Sequence, residues 1–134
     1  MTKLLHIEGI GDTYARQLKR AGVANVEALL SQGATPKGRQ ELADQTGISD
    51  KLILRWVNHA DLFRIKGIGG EYAELLEAAG VDTVAELARR NAENLYQKMV
   101  VVNGEKKLVR RVPARSQVNG WVAQAKALPR AVNY

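Results

Sequence analysis

The chain has 134 residues, of which 46% are hydrophobic and 25% charged, with no cysteine and a formal net charge of +6. That length suits one small domain with a real core, and the composition is ordinary for a soluble globular protein. Disulfide and thiolate chemistry are excluded, no apolar run approaches a membrane span, and the opening MTKLLHIEG lacks the apolar stretch of a secretory signal, so a cytoplasmic location is expected.

In chain order the pattern is helical almost throughout. Gly9-Ile10-Gly11 is a turn that opens a helix over about 12–21, with Ala15 and Leu18 on one face. Gly22 stands where a left-handed C-terminal cap is wanted. Asn25 starts a short helix carrying Val26, Leu29 and Leu30. Thr35-Pro36 is a helix start with proline at the first helical position, and Gly47 ends that helix. Ser49 caps the next, running to about Phe63, whose Leu52, Trp56 and Ala60 form a stripe beside Ile53 and Val57.

The same plan then starts again. Residues 65–87 repeat residues 7–29 at a constant offset of 58, pairing Ile7 with Ile65, Gly9 with Gly67, Gly11 with Gly69, Tyr14 with Tyr72, Leu18 with Leu76 and Gly22 with Gly80. Such self-similarity is the signature of a duplicated unit. A helix is predicted over 70–79, and Thr83 with Glu86 has the spacing of a capping box. Asn91 should cap a helix through Leu95 and Met99 that Asn103-Gly104 ends. A two-stranded hairpin around Asn103-Gly104 is the second reading of that stretch. Ser116 begins a last helix with Val118, Trp121, Val122 and Ala125, stopped by Pro129.

The fold expected is therefore all-α: one compact domain over 1–134, made of two tandem pseudo-symmetric units. Repeat one covers about 1–62, repeat two about 63–115, and a closing helix about 116–128. Only six residues precede Ile7, too few for a stable helix. The closing helix is accordingly expected to dock ahead of the first turn, with Trp56 and Trp121 as equivalent core residues.

Charge is unevenly spread. Residues 1–88 carry a net −2 and residues 89–134 a net +8, so the basic excess lies in the last third and suggests an acidic partner, nucleic acid being the commonest. Its densest part, EKKLVRRVPAR, holds Lys106, Lys107, Arg110, Arg111 and Arg115.

The Gly-Ile-Gly turns offer a second acidic-ligand feature. The middle isoleucine pins the turn to the core, and the turn presents free N–H groups at the positive end of the following helix, where a phosphate oxygen can be held. Such a contact positions a duplex without reading its sequence. The bland alternative is that each turn simply joins two packed helices. Tyr14 and Tyr72 read as packing residues, and His6 and His59 as surface or edge residues without zinc-ligand spacing.

Both kernels resemble the helix-hairpin-helix motif of DNA repair and recombination proteins. The continuation GVxxVxxL is similar to the small N-terminal domain of eukaryotic and archaeal strand-exchange recombinases. The whole plan, with its linking stretch TGISDKLILRWVNHADLFRIKGIG, most resembles an uncharacterised bacterial family known only as a domain of unknown function. Likeness to that family implies an all-helical tandem fold and no established activity, whereas the helix-hairpin-helix resemblance implies non-specific contact with the DNA backbone, sometimes with a monovalent cation on the hairpin carbonyls. Carried onto this chain, the contacts are Gly9, Gly11, Thr13, Arg64, Lys66, Gly67 and Gly69, joined by Lys106, Lys107, Arg110, Arg111 and Arg115 from the basic stretch.

The sequence departs from that pattern in its charges. Where DNA-binding members carry Lys or Arg after the second glycine, this chain has Asp12-Thr13 and Gly70-Glu71, followed by Glu74 and Glu77 on what reads as a solvent face. The rival expectation is a protein-interaction or assembly module that keeps the fold without binding DNA. No catalytic constellation, cofactor motif or small-molecule site is expected, since no nucleophile, paired carboxylates or metal cluster can be assigned.

Overall fold

A computed structural model describes all 134 residues, Met1–Tyr134. After a 3-10 turn over Leu4–His6 come eight helices: α1 Asp12–Arg20, α2 Val26–Gln32, α3 Pro36–Thr46, α4 Asp50–Leu62, α5 Gly70–Ala78, α6 Val84–Ala88, α7 Ala92–Lys106 and α8 Arg115–Ala127. No strand is present, so the all-α class holds. The chain divides into two compact units, Met1–Asp61 with Ala131–Tyr134, and Leu62–Arg130.

Local chemistry explains most helix ends. Asn25 accepts from the Ala28 amide at 2.8 Å, Thr35 from Gly38 at 3.1 Å, Ser49 from Leu52 at 3.2 Å, Thr83 from Glu86 at 3.3 Å and Asn91 from Asn94 at 3.0 Å. Each short side chain satisfies an amide that the first helical turn leaves without an acceptor. The capping box at Thr83 is shifted by one residue, because Glu86 reaches back to the Asp82 amide at 2.9 Å. At the other end of α1, Gly22 (φ +89°) bonds to Lys19, and Val23 bonds to the Leu18 carbonyl at 2.9 Å. Gly80 (φ +92°) and Val81 make the same pair of bonds to Glu77 and Leu76. These reversals deliver Val23 and Val81 into the core, where both are fully buried.

The first unit builds its core from Ile7, Leu18, Val23, Leu29, Leu42, Ile53, Trp56 and Val57. In the second unit Ile65, Ile68, Leu76, Leu87, Leu95, Met99, Val118 and Trp121 form one apolar cluster, and α8 packs on α6 and α7.

Three expectations are corrected. The closing helix does not stand in for a missing helix ahead of the first turn: α8 packs within the second unit, and the first turn is served by Trp56 of α4. Asn103-Gly104 does not end α7, which runs to Lys106. Asn103 turns its side chain onto the following segment, accepting from the Val109 amide at 2.9 Å and donating to the Val109 carbonyl at 3.1 Å, so its backbone stays helical. The helix stops instead at Lys107, in the left-handed region at φ 52°. Finally, His59 is not at the surface: every residue from Trp56 to Leu62 is buried, with His59 at 1% exposure.

Candidate nucleic-acid interface

The two Gly-Ile-Gly turns have nearly the same backbone. Gly9 has φ +93° and Gly67 φ +96°, conformations that L side chains rarely adopt. The Ile10 amide closes the first turn on Ile7 at 3.1 Å, and the Ile68 amide closes the second on Ile65 at 3.2 Å. Ile7, Ile10, Ile65 and Ile68 are all buried, so each turn is pinned from both sides. Under each lies a tryptophan. The indole nitrogen of Trp56 is 3.4 Å from where a Cβ on Gly9 would stand, and that of Trp121 is 3.0 Å from the matching point on Gly67. Tyr14 stacks edge-on against Trp56 at 4.9 Å between centroids, and Tyr72 is tilted on Trp121 at 5.3 Å, which gives both tyrosines a packing role.

Gly11 and Gly69 are the N-caps of α1 and α5. Their carbonyls accept from Ala15 and Ala73, but neither has a side chain to cap the helix that follows. No internal acceptor occupies the amides of Gly11, Asp12 and Thr13, nor those of Gly69, Gly70 and Glu71. Both N-caps are extended, at φ −95° and −107°, so backbone strain does not demand glycine there. A Cβ on either would meet nothing within 4 Å. Gly11, Thr13 and Gly69 are exposed.

The basic stretch divides into engaged and open residues. Arg115, the first residue of α8, pairs with Glu93 at 3.1 Å and lies 4.7 Å over the Tyr96 ring. Arg64 donates to the Pro129 carbonyl at 2.7 Å. Both therefore act first as internal ties. Lys66 is held through its backbone, its amide donating to Gln124 at 3.0 Å and its carbonyl accepting from Gln124 at 3.4 Å, while its side chain is exposed. Lys106, Lys107, Arg110 and Arg111 are exposed.

The fold brings part of this set together. A cleft of about 630 Å³ is lined by Glu71 at the start of α5, by Asn103, and by Lys107, Val109 and Arg110 of the basic stretch. Two ties hold that stretch in place: the Asn103 side chain clamps Val109, and the Tyr72 hydroxyl donates to the Arg111 carbonyl at 3.2 Å. Sequence reasoning named the cations but missed Asn103 and Gln124 as the residues that position them. The acidic face expected on α5 is also smaller than its sequence suggests, because Glu74 and Glu77 are half-buried and only Glu71 is exposed. No helix of the chain is long and apolar enough to cross a membrane.

Residues 8–128 match the family described as Domain of unknown function (DUF4332), and the chain belongs to that family. No curated protein and no solved structure matches it.

Proposed function

We propose that this DUF4332 chain binds the nucleic-acid backbone without reading base sequence, using two helix-hairpin-helix turns related by its internal duplication. The reading rests on one observation above others: Glu71, whose amide is one of three left free at the start of α5, lines a cleft with Lys107 and Arg110, two cations against its one carboxylate. Free amides at a helix start attract an anion, and flanking cations supply the charge that amides alone lack. Gly11 and Gly69 add support. Neither backbone conformation nor internal crowding calls for glycine at these points, yet both repeats carry it with open space outside. A phosphate brought against the turn is what a Cβ there would obstruct.

A duplex of arbitrary sequence, titrated across salt concentration by fluorescence anisotropy, tests this. If Lys106, Lys107, Arg110 and Arg111 each neutralise one phosphate, log affinity against log salt should slope at about −3.6, and at about −1.8 after Arg110→Ala with Arg111→Ala. No binding at low salt, or a slope indifferent to that double substitution, would reject the reading. The rival, an assembly module meeting a basic partner, needs a broad acidic surface. Of the four acidic residues that motivated it, the half-burial of Glu74 and Glu77 leaves Asp12 and Glu71 fully exposed.

A further inference from the structure

Arg39 sits in the first turn of α3, and only 6% of it is exposed. A buried guanidinium needs its donors satisfied, since an uncompensated buried charge is strongly destabilising. One nitrogen donates to the Gly33 carbonyl at 2.9 Å, in the corner between α2 and α3. Another donates to the carbonyl of Asn133 at 2.8 Å, 94 residues away along the chain. Asn133 returns the contact from its other side, its amide donating to the Ala34 carbonyl at 2.8 Å. The neighbouring Val132 is 1% exposed, although the residues around it are half-buried or exposed. Burial pulls the Arg39 guanidinium below its ordinary value, and Tyr134 opposes that shift.

This is how a receptor reads an extended peptide. Main-chain bonds to both backbone groups of one residue hold the segment, and a pocket for the adjacent side chain sets its register. Nothing in these bonds depends on the side chain of Asn133, whereas Val132 fills an enclosed space. Residues 131–134 also cluster with the first unit, separately from α8, which precedes them.

We propose that the corner formed by Gly33, Ala34 and Arg39 is a peptide-binding slot for a short extended segment with a buried valine, and that Ala131–Tyr134 is its resident occupant. The short linker Leu128–Arg130 keeps that occupant at a local concentration on the order of millimolar, so even weak intrinsic affinity holds it. A free peptide therefore gains access only when the resident segment is released.

The test uses the full chain and a fluorescent peptide corresponding to residues 128–134. Val132→Asp should release the resident segment and let the variant bind the peptide saturably in anisotropy, at least tenfold more tightly than the unaltered chain does. Adding Arg39→Met to Val132→Asp should abolish that binding, and a peptide with Asp in place of the valine should not bind. A folded Val132→Asp chain that ignores the peptide, or equal binding by the unaltered chain, would overturn the proposal. Hydrogen exchange on the unaltered chain decides independently, should Val132→Asp not fold. The Asn133 amide should be protected, and Arg39→Met should strip that protection while the amides of α2 keep theirs. Exchange of Asn133 at the rate of an unstructured peptide in the unaltered chain overturns the slot.

Discussion

The first and second Gly-Ile-Gly turns differ little in backbone and greatly in surroundings. Their first glycines lie within a few degrees of each other, their N-caps are both extended, and each rests on a tryptophan and a tyrosine. Around the first turn, the neighbouring charged side chains are the exposed Glu8 and Asp12. Beside the second are Lys66, the Gln124 clamp and a cleft in which the exposed Glu71 faces Lys107 and Arg110. A duplicated turn thus keeps its shape because its own hydrogen bonds and isoleucine pins are local. Its suitability for an anion depends on what the rest of its unit brings near.

That comparison can be broken hardest at the tryptophans. Trp56→Ala and Trp121→Ala should each cost about 3–5 kcal/mol in denaturant unfolding, because each removes the platform beneath one turn. Equal losses would extend the equivalence of the turns from geometry to energetics. A much smaller loss at Trp121 would end it.

Lys107 sharpens the contrast from the other side. It is the one non-glycine residue at positive φ, a conformation that costs roughly 1–2 kcal/mol without glycine's freedom. Lys107→Gly should therefore raise stability by about 1 kcal/mol while weakening duplex binding. A gain in stability with unchanged binding would show that the cleft is not the contact surface.

The N-cap glycines offer a subtler comparison. Serine caps helices better than glycine, so Gly11→Ser and Gly69→Ser should each stabilise by only a few tenths of a kcal/mol. The serine hydroxyl would occupy a free amide and crowd the approach of phosphate. Binding should fall clearly with Gly69→Ser and less with Gly11→Ser, measured by anisotropy. The reverse ranking would assign the principal contact to the first turn.

The smallest expected effect is acid sensitivity at Glu27. Its carboxylate accepts from the Thr2 amide at 2.9 Å, and that bond, the leading cause, holds its pKa below the ordinary carboxylate value. A carboxylate with a lowered folded-state pKa stabilises above its unfolded pKa and loses that contribution as pH falls through the folded value. Glu27→Gln should leave stability slightly lower at neutral pH and unchanged in strong acid, as followed by thermal melts across pH. The equivalent position in the second repeat is Ala85, so the second repeat should show no counterpart.

Much of the helix plan was legible because its signals act over three to five residues. Asn25, Thr35, Ser49, Thr83 and Asn91 each cap a helix they immediately precede, and Gly22, Gly47 and Gly80 end helices through bonds to the preceding turn. The end of α7 was misread because an Asn-Gly pair ordinarily stops a helix, whereas here Asn103 finds partners on Val109 that keep its backbone helical. His59 was misread because α4 shows an apolar stripe in sequence yet is buried over its whole second half. A stripe predicts one covered face, and it says nothing when neighbours enclose a helix.

By itself, the sequence determined the all-helical class, the duplicated turns and the positions of nearly every cap, since these follow from hydrogen bonds between near neighbours and from apolar spacing. Tertiary structure alone decided which tryptophan underlies which turn, that Lys107 and Arg110 line a cleft with Glu71 of α5, and that Asn133 closes over Arg39. Those contacts join segments dozens of residues apart, where the outcome rests on how whole helices pack, and no short-range pattern records it.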